Sequence, residues 1–306
     1  MHHERKLHIT MNLLIVESPL QLICAYEAIS CHPNEPYTLL IRLTGRGEND
    51  TQLIKCAQIL NIEFKTFKLY TSSVKFHLLM NLPLLFKLAK QKYSYLFIGS
   101  YFSSILKIIN KMIRAERKFY LDDGAATIRA QQEINLAPEK FVNWFTFFTL
   151  KPVAKQEIIQ HTFQHLKHNI YLTESDKKYF IGQPVEYMKA ISETEYIENI
   201  KNICAKQISH LIYIPHRVEN PNILKKLNQI ENLQMLVLDV PVELYFLLQI
   251  KESPAEVYSF YSSALITLAC IFQNCKISAI QPYAVHEDLV PVYNFFKTCN
   301  ITIRNQ

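Results

Sequence analysis

Glycine is scarce in this sequence, and the scarcity excludes several ways of holding a nucleotide. Only five glycines occur in 306 residues. None are spaced as a Walker loop or a dinucleotide G-x-G-x-x-G, whose glycines let backbone N–H groups close on phosphate. Gly45-Arg46-Gly47 comes nearest and lacks the third glycine. No Cys-x-x-Cys pair occurs among the seven cysteines (24, 31, 56, 204, 270, 275 and 299), so zinc ribbons and thioredoxin-type motifs are not supported. Their odd number and apolar neighbours, as in Gln21-Leu22-Ile23-Cys24, fit buried reduced thiols in a cytosolic protein. An Asp-x-Asp metal motif is missing too. No run of 18 apolar residues exists, which excludes a spanning helix, and Leu13 to Val16 stops at Glu17, too short for a signal-peptide core.

The residues present describe an ordinary folded protein. Hydrophobic residues make up 49% and charged residues 20%, so disorder is not expected, and the length suggests two domains. A net charge of +6 favours anionic partners such as nucleotides, acidic glycolipids or an anionic membrane face. No dense Lys/Arg stripe with interleaved aromatics is found, which argues against nucleic acid. Phe141, Trp144, Phe145, Phe147, Phe148 and Leu150 form an aromatic segment ahead of Lys151 and Lys155. It reads as interdomain or homodimer packing, with peripheral contact to an inner membrane as the alternative.

Apolar runs alternate with amphipathic ones. Asn12 to Val16 reads as a buried strand, and Ser18-Pro19 opens a helix over Leu20 to Ile29, Ser18 being the cap and Pro19 the first helical residue. Strands follow at Tyr37 to Leu43, Ile62 to Lys68, Tyr95 to Ile98 and Lys118 to Leu121, with helices at Gln52 to Leu60, Lys75 to Lys90 and Ser103 to Ile113. The pattern restarts with strands at Leu211 to Ile214, Met235 to Leu238, Val257 to Phe260, Lys276 to Ile280 and Ile301 to Ile303, separated by helical stretches. Such alternation implies parallel sheets covered on both faces, in two doubly wound α/β units. We place the boundary at 158/159, within 152–165, with the final segment free to return to the first domain.

Three polar motifs end predicted strands, where ligands of open α/β sheets bind. Asp122-Asp123-Gly124 puts two carboxyls in one loop, where desolvation and a neighbouring negative charge raise a pKa toward that of a general base. Gly124 permits a positive φ or close backbone approach. An Asp-Gly turn is the plainer explanation. Pro215-His216-Arg217 offers an imidazole that can donate to a phosphate, or neutralise it as imidazolium, with Arg217 as a second cation; a lone His is otherwise structural. Ser262-Ser263 stands before a helical run, whose N–H groups and dipole suit phosphate, although an ordinary cap has the same appearance. His286-Glu287-Asp288 invites a metal reading but fits a surface loop that opens a helix.

The order acid-Asp-Gly, strand-end His, then Ser-Ser before a helix resembles the bacterial sialyltransferases. The opening Leu13-Leu14-Ile15-Val16-Glu17-Ser18-Pro19-Leu20-Gln21-Leu22 is similar to glycosyltransferase family 52, which includes lipooligosaccharide α-2,3-sialyltransferases. The resemblance runs from Met11 through most of the chain. With the element order, it implies the GT-B fold, two Rossmann-like doubly wound domains facing across a cleft. Residues 1–158 would be the acceptor-side domain carrying the base, and 159–306 would bind the CMP-sugar. It further implies Asp123 as general base with Asp122 and Gly124 in support, and His216, Ser262 and Ser263 on the CMP phosphate. Arg217 stands where the family has Pro. Glu243, in Pro241-Val242-Glu243, is the best match to a ribose contact.

The implied reaction is an inverting, metal-independent transfer of sialic acid from CMP-sialic acid to a terminal galactose hydroxyl of a lipooligosaccharide-type glycan, without a cofactor. Rival readings are a transferase of another nucleotide sugar such as a glucosyltransferase, a non-catalytic nucleotide- or glycan-binding protein, and a metal-dependent phosphotransferase using Asp122 or Asp123.

Overall fold

The computed structural model describes residues 11–70, 74–185, 191–206 and 210–305. The chain divides after Leu166 into two compact units. In the first, seven strands form one parallel sheet: β1 (Met11–Val16), β2 (Tyr37–Leu43), β3 (Lys65–Lys68), β4 (Lys92–Ile98), β5 (Arg114–Leu121), β6 (Asn143–Thr146) and β7 (Ile158–Gln160). Their spatial order is β3-β2-β1-β4-β5-β6-β7. The chain builds outward from β1 on one side, crosses back, and continues from β4 on the other. Between β1 and β4 lies the switch point, where loops diverge and leave a crevice at the carboxyl ends.

The second unit repeats the plan with six parallel strands: β9 (Lys178–Ile181), β10 (Leu211–Ile214), β11 (Leu233–Met235), β13 (Glu256–Ser259), β14 (Lys276–Gln281) and β15 (Thr302–Asn305). The order β11-β10-β9-β13-β14-β15 puts its switch point between β9 and β13. A two-stranded piece, β8 (Thr173–Glu174) with β12 (Glu252–Ser253), stands apart. Each unit is thus Rossmann-like and doubly wound, as the alternation of apolar runs implied.

Several expectations need correction. The first unit extends to Leu166, past the 158/159 boundary, because Ile158–Gln160 pairs with β6 as the seventh strand. The final segment stays in the second unit, where β15 pairs with β14. The helix expected over Lys75 to Lys90 is two helices, Val74–Met80 and Leu82–Lys90, divided at Asn81. Pro83 is the cause: it lacks an N–H and is tolerated only in a helix's first turn. Most of the aromatic segment belongs to the first unit's own core: Trp144, Phe145, Phe147 and Phe148 are buried and β6 lies inside the sheet, so these four rings present no surface, while Phe141 and Leu150 are half-buried. No disulfide joins the seven cysteines, and Cys31 is exposed rather than buried. No helix among the described residues is long and apolar enough to cross a membrane.

Candidate functional site

In the first unit the polar groups converge on the switch point. Helix Pro19–Ser30 starts as its sequence suggests, with Ser18 accepting from the Gln21 N–H and Pro19 in the first turn. That start turns the Gln21 side chain across the carboxyl ends of the strands. Gln21 Nε2 donates to Asp123 Oδ1 at 2.8 Å, while its Oε1 accepts from the Glu17 N–H at 2.9 Å. An amide held at both ends has one orientation, so Gln21 fixes the Asp123 carboxylate. Gly99, just after β4, makes room for it: a Cβ there would lie 2.1 Å from Gln21 Oε1. Glu17 in turn pairs with buried Arg42 of β2, and Ser103 donates to it at 3.4 Å.

The two acids after β5 differ sharply. Asp122 is fully buried; its oxygens accept from Thr146 Oγ1 and the Phe147 N–H, each at 2.7 Å. Burial pushes its carboxyl up to about 7 against those hydrogen bonds. Asp123 is half-buried, with its own N–H donating to Thr127 Oγ1 at 3.0 Å. Desolvation of the pair therefore falls on Asp122, which anchors the loop to the β6 end and reaches no ligand, whereas Asp123 presents the accessible carboxylate. Gly124, at φ 63° and ψ −141°, turns the chain through a conformation other residues rarely adopt before helix Ala125–Leu136 begins.

In the second unit His216 follows β10, and Ser262-Ser263 follow β13, on either side of β9. The His216 N–H donates to Glu219 Oε2 at 2.9 Å, and its Nδ1 accepts from the Val218 N–H at 3.3 Å. Burial first, and Arg217 second, lower its pKa to about 4. The resting imidazole is therefore neutral, with Nε2 as its donor. It offers a hydrogen bond and not the positive charge expected of an imidazolium; exposed Arg217 supplies the cation beside it.

Helix Ala264–Ile271 starts after Ser263, whose side chain makes no capping bond, while Ser262 Oγ accepts from the Ala264 N–H at 3.3 Å. Gln183, after β9, binds the loop from β13: its Oε1 accepts from the Phe260 and Tyr261 N–H groups at 3.1 and 3.0 Å. Glu243 does not fit a ribose contact. It is buried, and its carboxyl is engaged by the Thr267 hydroxyl, anchoring the helix that Ser262-Ser263 precede.

One group of three potential metal ligands occurs among the described residues: Cys24, Asp122 and His161, with ligand atoms within 4.8 Å of one another. Sulfur, imidazole and carboxylate form a zinc-type set. All three residues are buried, so the set has no face toward a substrate, and both Asp122 oxygens already accept hydrogen bonds. His286-Glu287-Asp288 leads into a 3-10 turn, Glu287–Leu289, ahead of helix Val290–Thr298.

His161 is itself unusual. Neither ring nitrogen has a hydrogen-bond partner, and the ring stacks on Phe145 with centroids 4.7 Å apart. Burial lowers its pKa from 6.5 to about 3. An unfolded His takes up its proton near pH 6.5, so the stability tied to the neutral ring is complete above that value and is lost as pH falls toward 3. His161→Phe removes the unpaired nitrogens, each costing about 1–3 kcal/mol when buried. We expect it to match or exceed the wild type in stability at pH 7 and to lose less stability between pH 6.5 and 3. Thermal melts across that range check both points. Collapse of the variant at pH 7 would mean His161 has an essential partner.

The structure thus places the three sequence motifs at carboxyl ends of parallel strands beside the two switch points. Asp122, Asp123 and Gly124 share one loop of the first unit; His216, Arg217, Ser262 and Ser263 belong to the second. Sequence reasoning missed Glu17, Gln21 and Gly99 in the first unit, and Gln183 and Glu219 in the second. A local hint for Gln21 was its place in the first turn of a helix that starts at a strand end.

No family model matches the sequence, and no curated protein is similar to it. Solved structures share its architecture at low identity. A Listeria monocytogenes protein assigned as a UDP-N-acetylglucosamine 2-epimerase aligns over 92% of this chain and 81% of its own, with TM-score 0.60 and 9% identity. The UDP-GlcNAc 2-epimerase of Neisseria meningitidis, bound to UDP-GlcNAc, aligns over 95% and 86%, with TM-score 0.53 and 10% identity. Spinosyn rhamnosyltransferase SpnG aligns over 96% and 86%, with TM-score 0.51 and 11% identity. The fold is GT-B. At these identities the likeness extends to the architecture and no further.

Proposed function

We propose that this protein is an inverting glycosyltransferase that moves sialic acid from CMP-sialic acid to the galactose hydroxyl of a lipooligosaccharide-type glycan, through an α-2,3 bond. One observation supports it above the rest. Three motifs in the order known from sialyltransferases each lie at the carboxyl end of a strand beside a switch point, with one accessible carboxylate, Asp123, held by a dedicated amide. In this reading residues before the division carry the base and those after it bind the donor. The reaction runs at the inner face of the cytoplasmic membrane.

Asp123 takes the proton of the acceptor hydroxyl as that oxygen attacks the anomeric carbon, and CMP leaves from the opposite face. His216 Nε2–H, the Ser262 and Ser263 hydroxyls and the start of helix Ala264–Ile271 donate to the departing phosphate, and Arg217 balances its charge. Binding an anion also raises the His216 pKa from about 4, strengthening that contact as charge develops. Neither a metal nor a cofactor enters the proposed chemistry.

The test offers purified protein CMP-sialic acid, UDP-glucose or UDP-galactose with a lactose-terminated acceptor and no added divalent cation, and follows products by mass spectrometry. A sialylated product with stoichiometric CMP is expected. Transfer only from a UDP-hexose would replace the donor and keep the transferase; binding without transfer from any donor would leave a nucleotide- or glycan-binding protein.

A further inference from the structure

The first unit carries an exposed apolar surface that its core does not use. Helices Val74–Met80 and Leu82–Lys90 are joined through Asn81, whose side chain donates to Lys68 O and His77 O, both at 2.7 Å. Their inner faces pack on the sheet through Leu78, Leu84, Leu85 and Leu88. The outer faces are not polar, as expected of a helix on a water-exposed surface. Phe76, Leu79 and Met80, at the i, i+3, i+4 spacing that puts side chains on one face, are 61%, 64% and 65% exposed, and Phe86 is 57% exposed. Large side chains clustered this way mark an interaction surface.

The charge around them selects the partner. From Phe64 to Ala115 the chain contains no Asp or Glu at all, but it has Lys65, Lys68, Lys75, Lys87, Lys90, Lys92, Lys107, Lys111 and Arg114. This segment therefore carries +9, more than the whole chain's net +6. Lys75, Lys87 and Lys90 are exposed on the same two helices as the four apolar side chains. Exposed apolar side chains on two helices whose only formal charges are cations suit a surface that presents anionic headgroups above acyl chains. A protein partner with an ordinary mixed surface would not require every acid to be missing over 52 consecutive residues.

We propose that helices Val74–Met80 and Leu82–Lys90 form a docking face for an anionic lipid bilayer, with Phe76, Leu79, Met80 and Phe86 entering the headgroup–acyl boundary and Lys75, Lys87 and Lys90 pairing with lipid phosphates. This face replaces the aromatic segment 141–150 as the membrane contact of this protein. It stands independently of the donor assigned above, because its test is binding and not turnover.

The experiment measures cosedimentation of the full chain with vesicles of phosphatidylcholine containing 30–40% phosphatidylglycerol, against phosphatidylcholine alone, at about 0.1 M and 1 M salt, where the Debye length falls from about 10 to 3 Å. Binding to the anionic vesicles at low salt, reduced at least about tenfold in high salt or on neutral vesicles, is expected. Phe76→Ser/Phe86→Ser and Lys87→Glu/Lys90→Glu should each weaken binding at least about tenfold with melting temperature unchanged, since the altered side chains are exposed. No binding to the anionic vesicles, or binding that both double variants retain, overturns the proposal. So would a dimer in light scattering that Phe76→Ser/Phe86→Ser dissolves, which would assign the face to a second copy of this chain.

Discussion

Asp123→Asn is expected to lower the rate of transfer by about 10²–10⁴-fold, the usual contribution of a positioned general base, while CMP affinity stays unchanged. Asn is nearly isosteric and keeps a carbonyl oxygen to accept from Gln21 Nε2, so the loop geometry survives and only the proton acceptor is lost. CMP contacts are assigned to residues of the other unit, which the substitution does not touch. Single-turnover transfer and calorimetric titration with CMP separate the two effects. Wild-type turnover would remove Asp123 from the chemistry. Turnover and CMP affinity lost together, with a lowered melting temperature, would mean a misfolded loop instead. Asp122→Asn provides the contrast. Its amide cannot accept at both positions from Thr146 and Phe147, so it should chiefly cost stability.

The second large effect concerns Gln21, the group that holds the proposed base. Gly99→Ala puts a methyl 2.1 Å from Gln21 Oε1 and 2.7 Å from Gln21 Cδ, and the three nearest atoms all belong to that one side chain. Gln21 must give way, losing its grip on both the Glu17 N–H and Asp123. A misplacement of about 1 Å in a catalytic group can cost about 10²-fold, and that is the loss expected of Gly99→Ala and of Gln21→Ala alike. In the double variant the methyl occupies space the amide has left, so transfer should match either single variant rather than fall a further 10²-fold. Such non-additivity is the signature of two residues acting through one contact. Additive losses in kcat/KM would show that Gly99 matters for another reason, and a Gln21→Ala enzyme with full activity would show that Asp123 needs no guide.

Legibility differed from element to element for physical reasons. β1 and helix Pro19–Ser30 were readable because the apolar run Leu13 to Val16, a Ser cap and an N1 proline are all local signals. β9, the central strand of the second sheet, escaped notice. Its four residues, Lys-Tyr-Phe-Ile, are too few to show a period and follow Asp176-Lys177, which looks like a loop. Helix Glu193–Ala205 was overlooked for a related reason: its polar first turn hides the buried Tyr196, Ile197, Ile200 and Cys204 stripe. The Trp144 segment was visible as aromatic, but only the pairing of β6 between β5 and β7 assigns those rings to an interior. Glu243 failed as a ribose contact because sequence spacing says nothing about whether Thr267 stands across from it.

By itself the sequence determined the alternation of strands and helices, the exclusion of a glycine cradle, and the placing of Asp122-Asp123-Gly124, His216 and Ser262-Ser263 at strand ends. These follow from local chemistry: apolar runs, capping residues and turn formers act over a few neighbours. Tertiary structure decided which of two adjacent acids reaches solvent, that His216 rests neutral, and that Gln21 meets Asp123 across 102 positions of chain. Those outcomes depend on burial and on contacts between distant segments, which exist only once each unit's strands have paired and opened its switch point.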